Sequence, residues 1–337
     1  MVSAKAGRAR WFWRGRVWGL RLYEAVILAD FAVVYWLIQK RAHLGLGAAR
    51  ILRECAFFAV SASSLLLGAL LLRSLLAGRR APRRAWIRLL AALRPFSLLD
   101  LSRFLLFVSV TSFAYSWLKV ILPLLRPDAL FDDVLYRVET ALHFGVNPGR
   151  FLQSLFPYAA LWRKLDGWYA FFIYTVLGGM AWFGTALSTR ERARFAMGFS
   201  LLWILGGWWY LATPSLGPFV VLKDDYAEVR AAMPTQSAVM DVLYGHYGRV
   251  RAFYRHPEGT VINPYLGIAA MPSLHVAAQA FFALFARRRS RALFLLYSAA
   301  TAITMFAAVI SGWHYAIDVY AGLLLAWGCV RLGERFG

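Results

Sequence analysis

The sequence predicts an all-α fold: a polytopic membrane helical bundle of about eight transmembrane helices, with interfacial helices and a long outer loop. Of the 337 residues, 60% are apolar and 16% are charged, whereas soluble domains carry about 25% charged residues. Long apolar runs recur along the whole chain, and the basic residues fall in short clusters between them. The formal net charge of +21 therefore fits the basic loops of a membrane protein better than a surface that binds nucleic acid.

A transmembrane helix needs about 20 mostly apolar residues. Eight stretches meet this need: residues 20–39, 54–77, 101–125, 166–188, 195–212, 272–287, 291–311 and 314–331. Glu24 and Asp30 interrupt the first stretch, and charges inside a span are unfavourable unless they face protein or water. A seven-span arrangement therefore stays open. Segments 78–100 and 148–165 mix Arg, Trp and Leu and are predicted to be helices that lie at the membrane surface.

The distribution of Lys and Arg predicts the orientation of the bundle. With eight spans, the side that holds both termini carries more basic residues than the other side, and such loops are usually cytoplasmic. No small-residue cleavage site follows the basic N-terminal stretch, which we interpret as leading into a retained first helix. We expect a bacterial inner-membrane protein with cytoplasmic termini, and with residues 213–270 on the periplasmic or extracellular side.

Three polar stretches border the predicted outer face. They are residues 213–218 (TPSLGP), 271–275 (MPSLH) and 312–318 (GWHYAID). Because successive spans alternate in direction, the end of one span, the start of the next and the following turn lie at the same membrane face. The three stretches can therefore converge on one site.

The third stretch holds a histidine and an acid suited to nucleophilic catalysis. His314 and Asp318 are four residues apart, so that on a helix both project from one face and the carboxylate can accept a hydrogen bond from the ring. Such a bond fixes the tautomer and leaves the other ring nitrogen free to act as a nucleophile or base. A histidine in an apolar helix is commonly a packing residue, but an acid inside a span needs a partner. We therefore predict a functional pair.

The second stretch predicts an anion site at a helix start. Pro272 and Ser273 precede an apolar run, and the unpaired N–H groups and positive dipole end of a helix start favour phosphate. Ser273 can add a hydroxyl donor, and His275 is close by in sequence. The alternative, equally favoured from this stretch alone, is that Ser273 only caps the helix and His275 lies at the interface.

Two histidines suffice for phosphoryl transfer through a covalent intermediate. One attacks phosphorus, and the other, when protonated, delivers a proton to the departing alkoxide. An unperturbed pKa of about 6.5 allows either role near neutral pH, so no metal or other cofactor is expected. Cys55 and Cys329 lie in different apolar segments, without the spacing of a disulfide framework or a metal site.

The pairing of Pro-Ser-Leu-His at 272–275 with His-x3-Asp at 314–318 resembles the type 2 phosphatidic acid phosphatase superfamily of integral membrane lipid phosphatases and phosphotransferases. The motifs of that family are K-x6-R-P, P-S-G-H and S-R-x5-H-x3-D. The resemblance covers about residues 115–331. It implies that His314 is a nucleophile that forms a phosphohistidine.

The resemblance also implies roles for two further residues, with Asp318 orienting the nucleophile and His275 acting as the general acid. We predict that the chain has two parts. Residues 1–100 would supply N-terminal membrane helices and an interfacial segment. Residues 101–337 would form the phosphatase- or phosphotransferase-like membrane core, including the outer loop 213–270.

The sequence departs from the family motifs at several positions. Leu274 stands where the family has Gly, and Ala307 and Ala308 stand in place of Ser-Arg, so one phosphate-binding Arg is missing. The stretch 213–218 has no basic residue where the first motif is expected. These features, and the stretch 117–148, resemble the inositol phosphorylceramide synthase-like branch. That branch includes phosphotransferases, so the resemblance does not imply hydrolysis alone.

A bound phosphate needs a cation, and two groups of residues compete for this role. Lys119 and Arg126 match K-x6-R-P in letters at the outer end of the third span, although such residues are commonly membrane anchors. Arg is well suited to phosphate, and the outer loop offers Arg249, Arg251 and Arg255. The same loop carries side chains that could recognise a head group or an acceptor alcohol, or anchor the loop at the interface: Tyr244, His246, Tyr247, Tyr254 and His256.

The sequence therefore predicts a lipid phosphatase or head-group phosphotransferase that acts on a phosphorylated lipid of the outer leaflet. Water as acceptor gives a phosphatase, and a polyol or sugar gives a transferase. The missing Arg favours transfer from a phosphodiester, which carries less charge. The alternatives are a transporter or lipid flippase that uses the His and Asp residues without covalent chemistry, and a structural membrane protein.

Overall fold

The computed structural model describes residues 20–78, 95–186, 188–255 and 261–337. The regular elements within these ranges are all helices. The first half contains α1 (Leu22–Lys40), α2 (Ala48–Gly78), α3 (Pro95–Val120), α4 (Leu122–Leu125), α5 (Asp132–Leu142), α6 (Pro148–Leu155) and α7 (Ala159–Ala186). The second half contains α8 (Thr189–Ala212), α9 (Pro218–Val221), α10 (Ala227–Ala232), α11 (Pro234–Arg251), α12 (Leu274–Ala286), α13 (Arg291–Ile310) and α14 (Ala316–Phe336).

Six helices in the described part of the chain are long and apolar enough to cross a membrane. They are α1, α2 over Ala48–Leu72, α3 over Leu99–Val120, α8, α13 and α14. The predicted all-α membrane bundle is thereby confirmed. The other two predicted spans fall on α12, which is apolar but only 13 residues long, and on the 28-residue helix α7. The total of eight spans stays a prediction.

The two acids of the first span are both partnered by protein groups. Glu24 is fully buried and forms an ion pair with Arg103, whose Nε donates to Glu24 Oε1 at 2.8 Å. Asp30 Oδ1 accepts a hydrogen bond from Trp208 Nε1 at 2.7 Å. Because a partnered acid avoids most of the penalty of an isolated buried charge, helix α1 tolerates both residues.

The predicted interfacial segments are only partly described. Segment 148–165 is divided between α6 and the start of α7, with a break around Pro157. Proline disfavours helical geometry at the residue before it and lacks an N–H donor, which explains the break. Residues 79–94 of the other segment lie outside the described residues, as do residues 1–19 with their basic cluster. Residues 95–100 belong to the first turns of α3.

Glycines bring the helices that carry the site close together. A Cβ on Gly198 of α8 would lie 2.8 Å from the carbonyl oxygen of Cys329 in α14, and one on Gly322 of α14 would lie 2.5 Å from the carbonyl oxygen of Ser273. Real Cβ atoms do not approach backbone so closely. Helix α14 therefore lies directly against α8 and against the start of α12.

The long outer loop is largely helical. Within residues 213–270 the chain forms α9, α10 and α11, together with the 3-10 turns Asp224–Tyr226 and Pro264–Leu266. Buried residues of this segment, such as Val229 and Val250, pack in apolar clusters with residues of the bundle. The loop therefore forms a structured cap at the end of the bundle where the three polar stretches lie.

Candidate active site

The three polar stretches meet at one end of the bundle. The backbone N–H of Met271 donates to Ser215 Oγ at 3.1 Å, which joins the second stretch to the first. The N–H of Phe219, just after the first stretch, donates to the carbonyl oxygen of Gly312 at 2.7 Å. Gly217 has a φ of +89°, and a Cβ there would lie 2.6 Å from a backbone oxygen. The close approach of the first stretch to the third therefore requires glycine.

His314 lies in the turn between α13 and α14. Its side chain is 2% exposed, and Nδ1 lies 2.9 Å from the carbonyl oxygen of Ala270 and 3.5 Å from Asp318 Oδ2. A carbonyl oxygen can only accept, so Nδ1 of the neutral ring carries the proton and Nε2 keeps its lone pair. Of the two ring nitrogens, Nε2 is therefore the one that can act as a nucleophile.

The expectation that His314 and Asp318 share one face of a helix is wrong. Helix α14 begins only at Ala316, and Asp318 Oδ2 accepts a hydrogen bond from the N–H of Tyr315 at 2.9 Å. An acid in the first turn that bonds the N–H of the capping residue marks a helix start, which leaves His314 ahead of the helix. The carboxylate of Asp318 still faces the ring, while Ala270 provides the shorter contact.

His275 is in direct contact with His314. Its Nδ1 lies 3.3 Å from Nε2 of His314, and because that Nε2 holds a lone pair, Nδ1 of His275 is the donor. The His275 ring also packs on Phe172, with ring centroids 4.4 Å apart, and on Trp313, at 5.9 Å. The two histidines to which the resemblance assigns the roles of nucleophile and general acid are therefore neighbours.

Ser273 is the N-cap of α12. It is fully buried, and its Oγ accepts from the N–H of Val276 at 3.5 Å. Its own N–H donates to the carbonyl oxygen of Asp318 at 2.9 Å. The structure thus gives Ser273 a helix-capping role, and contact with phosphate stays a prediction.

A cavity of ≈ 640 Å³ lies beside the histidine pair, between α2, α3, α7, α8 and α11. His275, Trp313 and Lys119 line it, together with mainly apolar and aromatic side chains. Among the described residues that line this cavity, Lys119 is the only Lys or Arg and no residue is an acid. The cavity thus combines an apolar wall with a single fixed cation.

The other predicted cations lie elsewhere. Arg126 Nη1 donates to the carbonyl oxygen of Leu211 at 3.2 Å, and Arg251 Nη2 pairs with Asp128 Oδ1 at 3.1 Å. Arg249 and Arg255 are exposed. None of these four described arginines lines the cavity, so Lys119 is the predicted cation that the structure brings to it.

The described aromatic and histidine candidates of the outer loop, Tyr244, His246, Tyr247 and Tyr254, also lie outside the cavity lining. Tyr244 and Tyr247 stack with ring centroids 6.4 Å apart. His246 is buried, and its Nε2 accepts from the N–H of Asn263 at 3.1 Å. The hydroxyl of Tyr254 donates to the carbonyl oxygen of Arg41 at 3.2 Å. The remaining candidate, His256, lies outside the described residues.

Two buried acids that the sequence analysis did not select face the site from helix α5. Asp132 accepts from the N–H groups of Leu216 and Gly217 at 3.0 and 2.9 Å and from the Tyr315 hydroxyl at 3.2 Å. Glu139 Oε2 accepts from the N–H of Ala316. Their spacing of seven residues, two helical turns, is a signal that could have identified them.

Burial controls the protonation of both acids. It raises the pKa of Asp132, against the opposing effect of the backbone N–H donors. Burial also raises the pKa of Glu139 to about 7; the N–H of Ala316 opposes this shift and the nearby charge of Asp318 adds to it. Burial therefore makes both carboxyl groups easier to protonate than an exposed acid.

The departures from the family motifs have a structural basis. Ala308 is fully buried in an apolar cluster with Trp162 and Met233, and its carbonyl oxygen accepts from the N–H of His314 at 3.2 Å. An arginine at position 308 would have to place its side chain in this apolar cluster. Leu274 is 2% exposed and packs against Gly206 of α8.

Within the described ranges, no group of three His, Cys, Asp or Glu side chains is arranged to hold a metal ion. A family model described as "PAP2 superfamily" matches residues 133–332. Neither the curated proteins nor the solved structures give a significant match. The matched region contains both histidines of the site, Asp318 and residues 213–270.

Proposed function

Because the chain belongs to the PAP2 superfamily, we propose that this integral membrane protein is a lipid phosphatase or head-group phosphotransferase that forms a phosphohistidine on His314. The observation that carries the proposal is the 3.3 Å contact between Nδ1 of His275 and Nε2 of His314 at the edge of the cavity. Superfamily membership by itself supports a phosphatase-type enzyme. The lipid substrate and the covalent intermediate are our inference from the site.

In the first step, Nε2 of His314 attacks phosphorus while the bond from phosphorus to the departing oxygen breaks. His275, in its protonated form, gives a proton to that oxygen, which leaves as an alcohol, and the His275 ring becomes neutral. In the second step, water or an acceptor alcohol attacks the phosphohistidine and returns its proton to His275. The bond between Nε2 and phosphorus then breaks, which restores both rings.

The surroundings of His314 support its role as the nucleophile. The bond from Nδ1 to the carbonyl of Ala270 holds the tautomer whose lone pair is on Nε2. Asp318 lies 3.5 Å from the same Nδ1, where its negative charge favours the positive charge that develops on the ring during attack. In the free protein Nδ1 of His275 donates a hydrogen bond to the lone pair on Nε2 of His314. This hydrogen bond must break before Nε2 can attack a bound phosphate.

The cavity supports a lipid substrate of low charge. Its apolar lining suits acyl chains, and Lys119 can neutralise one phosphate charge. A phosphodiester carries one charge and a phosphomonoester up to two, so a single cation favours a diester donor. We therefore favour transfer of a substituted phosphoryl group to an alcohol such as a polyol or sugar. We place the reaction at the outer leaflet, since the charge distribution predicts cytoplasmic termini.

The decisive experiment is to trap the intermediate. Purified protein in detergent or liposomes is incubated with 32P-labelled lipid monoesters and diesters and then quenched, and acid-labile, base-stable label on the protein is measured with product release. We expect label in the wild type, none in His314→Ala, and slow formation in His275→Ala. His43→Asn is the matched control, because His43 is exposed and its φ of 50° suits asparagine.

Equal turnover in the wild type and both site variants would exclude the catalytic proposal. Movement of lipid across liposomes without label or product would instead indicate a transporter or flippase. Adding glycerol, inositol or sugars separates the two enzymatic outcomes. Transfer to water releases free phosphate from a monoester or a phosphomonoester from a diester, and label transferred to the added alcohol identifies a transferase.

A further inference from the structure

Two buried carboxyl groups on one face of helix α5 bind the backbone of the first and the third polar stretches of the candidate site. Asp132 binds the backbone of the first polar stretch at Leu216 and Gly217. Glu139, two turns further along, binds the N–H of Ala316 at the start of α14. Neither acid lines the cavity, so their contacts are with the backbone that carries the site.

The contact of Glu139 lies very close to the proposed nucleophile. Ala316 is two residues after His314 and is the first residue of α14. The segment between α13 and α14 is a turn, which includes Gly312 with a φ of +74°. Within this turn the N–H of His314 is bonded to Ala308 and that of Tyr315 to Asp318. The bond from Ala316 to Glu139 joins the end of the turn to a different helix.

Glu139 is an unusual residue to bury for structural reasons alone. Its side chain is 1% exposed, and within the described part of the chain no Lys or Arg forms an ion pair with it. A buried carboxyl group without a counter-ion is unfavourable unless hydrogen bonds hold it. The N–H groups at the start of a helix are such donors, and they favour a negative charge. The carboxyl group is thus placed where it holds the beginning of α14.

We propose that Glu139 is a positioning residue of the reaction, which fixes the imidazole of His314 through the N–H of Ala316. The inference rests on the proposed function, because it concerns the geometry of the attack by His314. In-line transfer needs the reacting atoms about 3–3.5 Å apart and aligned, and a misplacement of about 1 Å can reduce the rate about 100-fold. A loosened turn would therefore impair the chemical step more than it impairs the binding of lipid in the cavity.

Two substitutions at Glu139 test the role of its oxygen atom. Glu139→Gln keeps an acceptor for the N–H of Ala316, whereas Glu139→Met keeps the volume and removes the acceptor. We expect kcat of Glu139→Gln to stay within about threefold of the wild type, and kcat of Glu139→Met to fall about 10- to 100-fold. KM should change less than about twofold in both variants, since the cavity is untouched. The rate of phosphohistidine formation should fall with kcat.

A third substitution breaks the same bond from the other side. Ala316→Pro removes the N–H donor at the first position of a helix, where proline is tolerated, and Tyr315 before it already has an extended backbone with ψ of 152°. If Glu139 acts through this N–H, the losses of kcat in Glu139→Met and Ala316→Pro will not be additive in the double variant. Thermal unfolding in detergent checks the fold of each variant.

The outcomes separate this inference from the proposed function. If the wild type forms no phosphohistidine and releases no product, the proposed function fails. If the wild type is active and folded Glu139→Met matches it in kcat, Glu139 is not a positioning residue. The same conclusion follows if Glu139→Gln loses as much kcat as Glu139→Met. Should Glu139→Met not fold, a folded Ala316→Pro variant with the kcat of the wild type would overturn the inference.

Discussion

Leu274 packs on Gly206 so closely that a Cβ on Gly206 would lie 2.6 Å from Leu274 Cδ2. The residue that replaces the family's glycine before His275 is thus matched by a glycine in α8. A larger side chain at position 206 should disturb the start of α12, because the buried Leu274 next to His275 would have to move.

We predict that Gly206→Ala destabilises the protein by about 1–3 kcal/mol, as overpacking usually does. Thermal unfolding in detergent measures the effect, and product release should fall with it. Leu274→Ala in the same chain should restore part of the loss. Gly178→Ala is the control, since a Cβ there meets nothing within 4 Å and alanine favours a helix by about 1 kcal/mol. Equal effects of the two alanines would contradict the prediction.

Gly217 and Gly145 allow strain to be separated from crowding. Their φ angles are +89° and +88°, so alanine at either position carries the strain of a positive φ, about 1–3 kcal/mol. Only Gly217→Ala would also place a Cβ 2.6 Å from the carbonyl oxygen of Trp313, whereas Gly145 has open space. We expect Gly217→Ala to unfold at a lower temperature than Gly145→Ala and to lose more activity, because Trp313 precedes His314. Similar thermal midpoints and activities would refute this.

Lys119 is predicted to supply the charge that binds phosphate. Replacing Lys119 by Met should lower kcat/KM by about 10- to 100-fold, the usual effect of losing a charged hydrogen bond. Lys119→Arg should retain part of the activity, and diester lipids should be less affected than monoesters. The control is Lys164→Met, since Lys164 is exposed and lies outside the cavity lining. A phosphate contact is excluded if Lys119→Met and Lys164→Met turn over lipid equally well.

His246 predicts a pH dependence of stability. Burial lowers the pKa of His246, and repulsion by Arg249 adds to the shift, whereas an unfolded histidine titrates at about 6.5. Below about pH 6.5 the unfolded chain therefore binds a proton that the folded protein does not, and the free energy of unfolding falls as the pH is lowered. In His246→Gln the part of this pH dependence of the free energy of unfolding that is due to His246 should be absent between about pH 5 and 8. His43→Asn, at an exposed site, should keep the full dependence.

The sequence predicted the membrane bundle and the convergence of the three polar stretches at one end of it. Both depend on local composition and on the alternating direction of successive spans. It could not identify Asp132 and Glu139 as residues near the site. In sequence, acids on an amphipathic helix are expected to face solvent. The partners of Asp132 and Glu139 are backbone N–H groups of Leu216 and Ala316, which are distant in the chain. It also could not choose between Lys119 and the arginines of the outer loop, since the choice depends on which helix faces the cavity.

The charge distribution predicts that the outer cap is reached from outside the cell. Val242 of α11 is 53% exposed, which makes Val242→Cys a suitable probe in a chain whose half-buried Cys55 is replaced by Ser. Cys329 is fully buried and can stay. A membrane-impermeant maleimide should label Val242→Cys in intact cells, because residues 213–270 are predicted to lie on the side with fewer basic residues.

The exposed Arg335 near the end of α14 gives the opposite probe, since Arg335→Cys should react only after the membrane is opened. If Arg335→Cys reacts in intact cells while Val242→Cys requires lysis, the orientation is inverted and the site faces the cytoplasmic leaflet. In that orientation the enzyme would take its lipid from the inner leaflet.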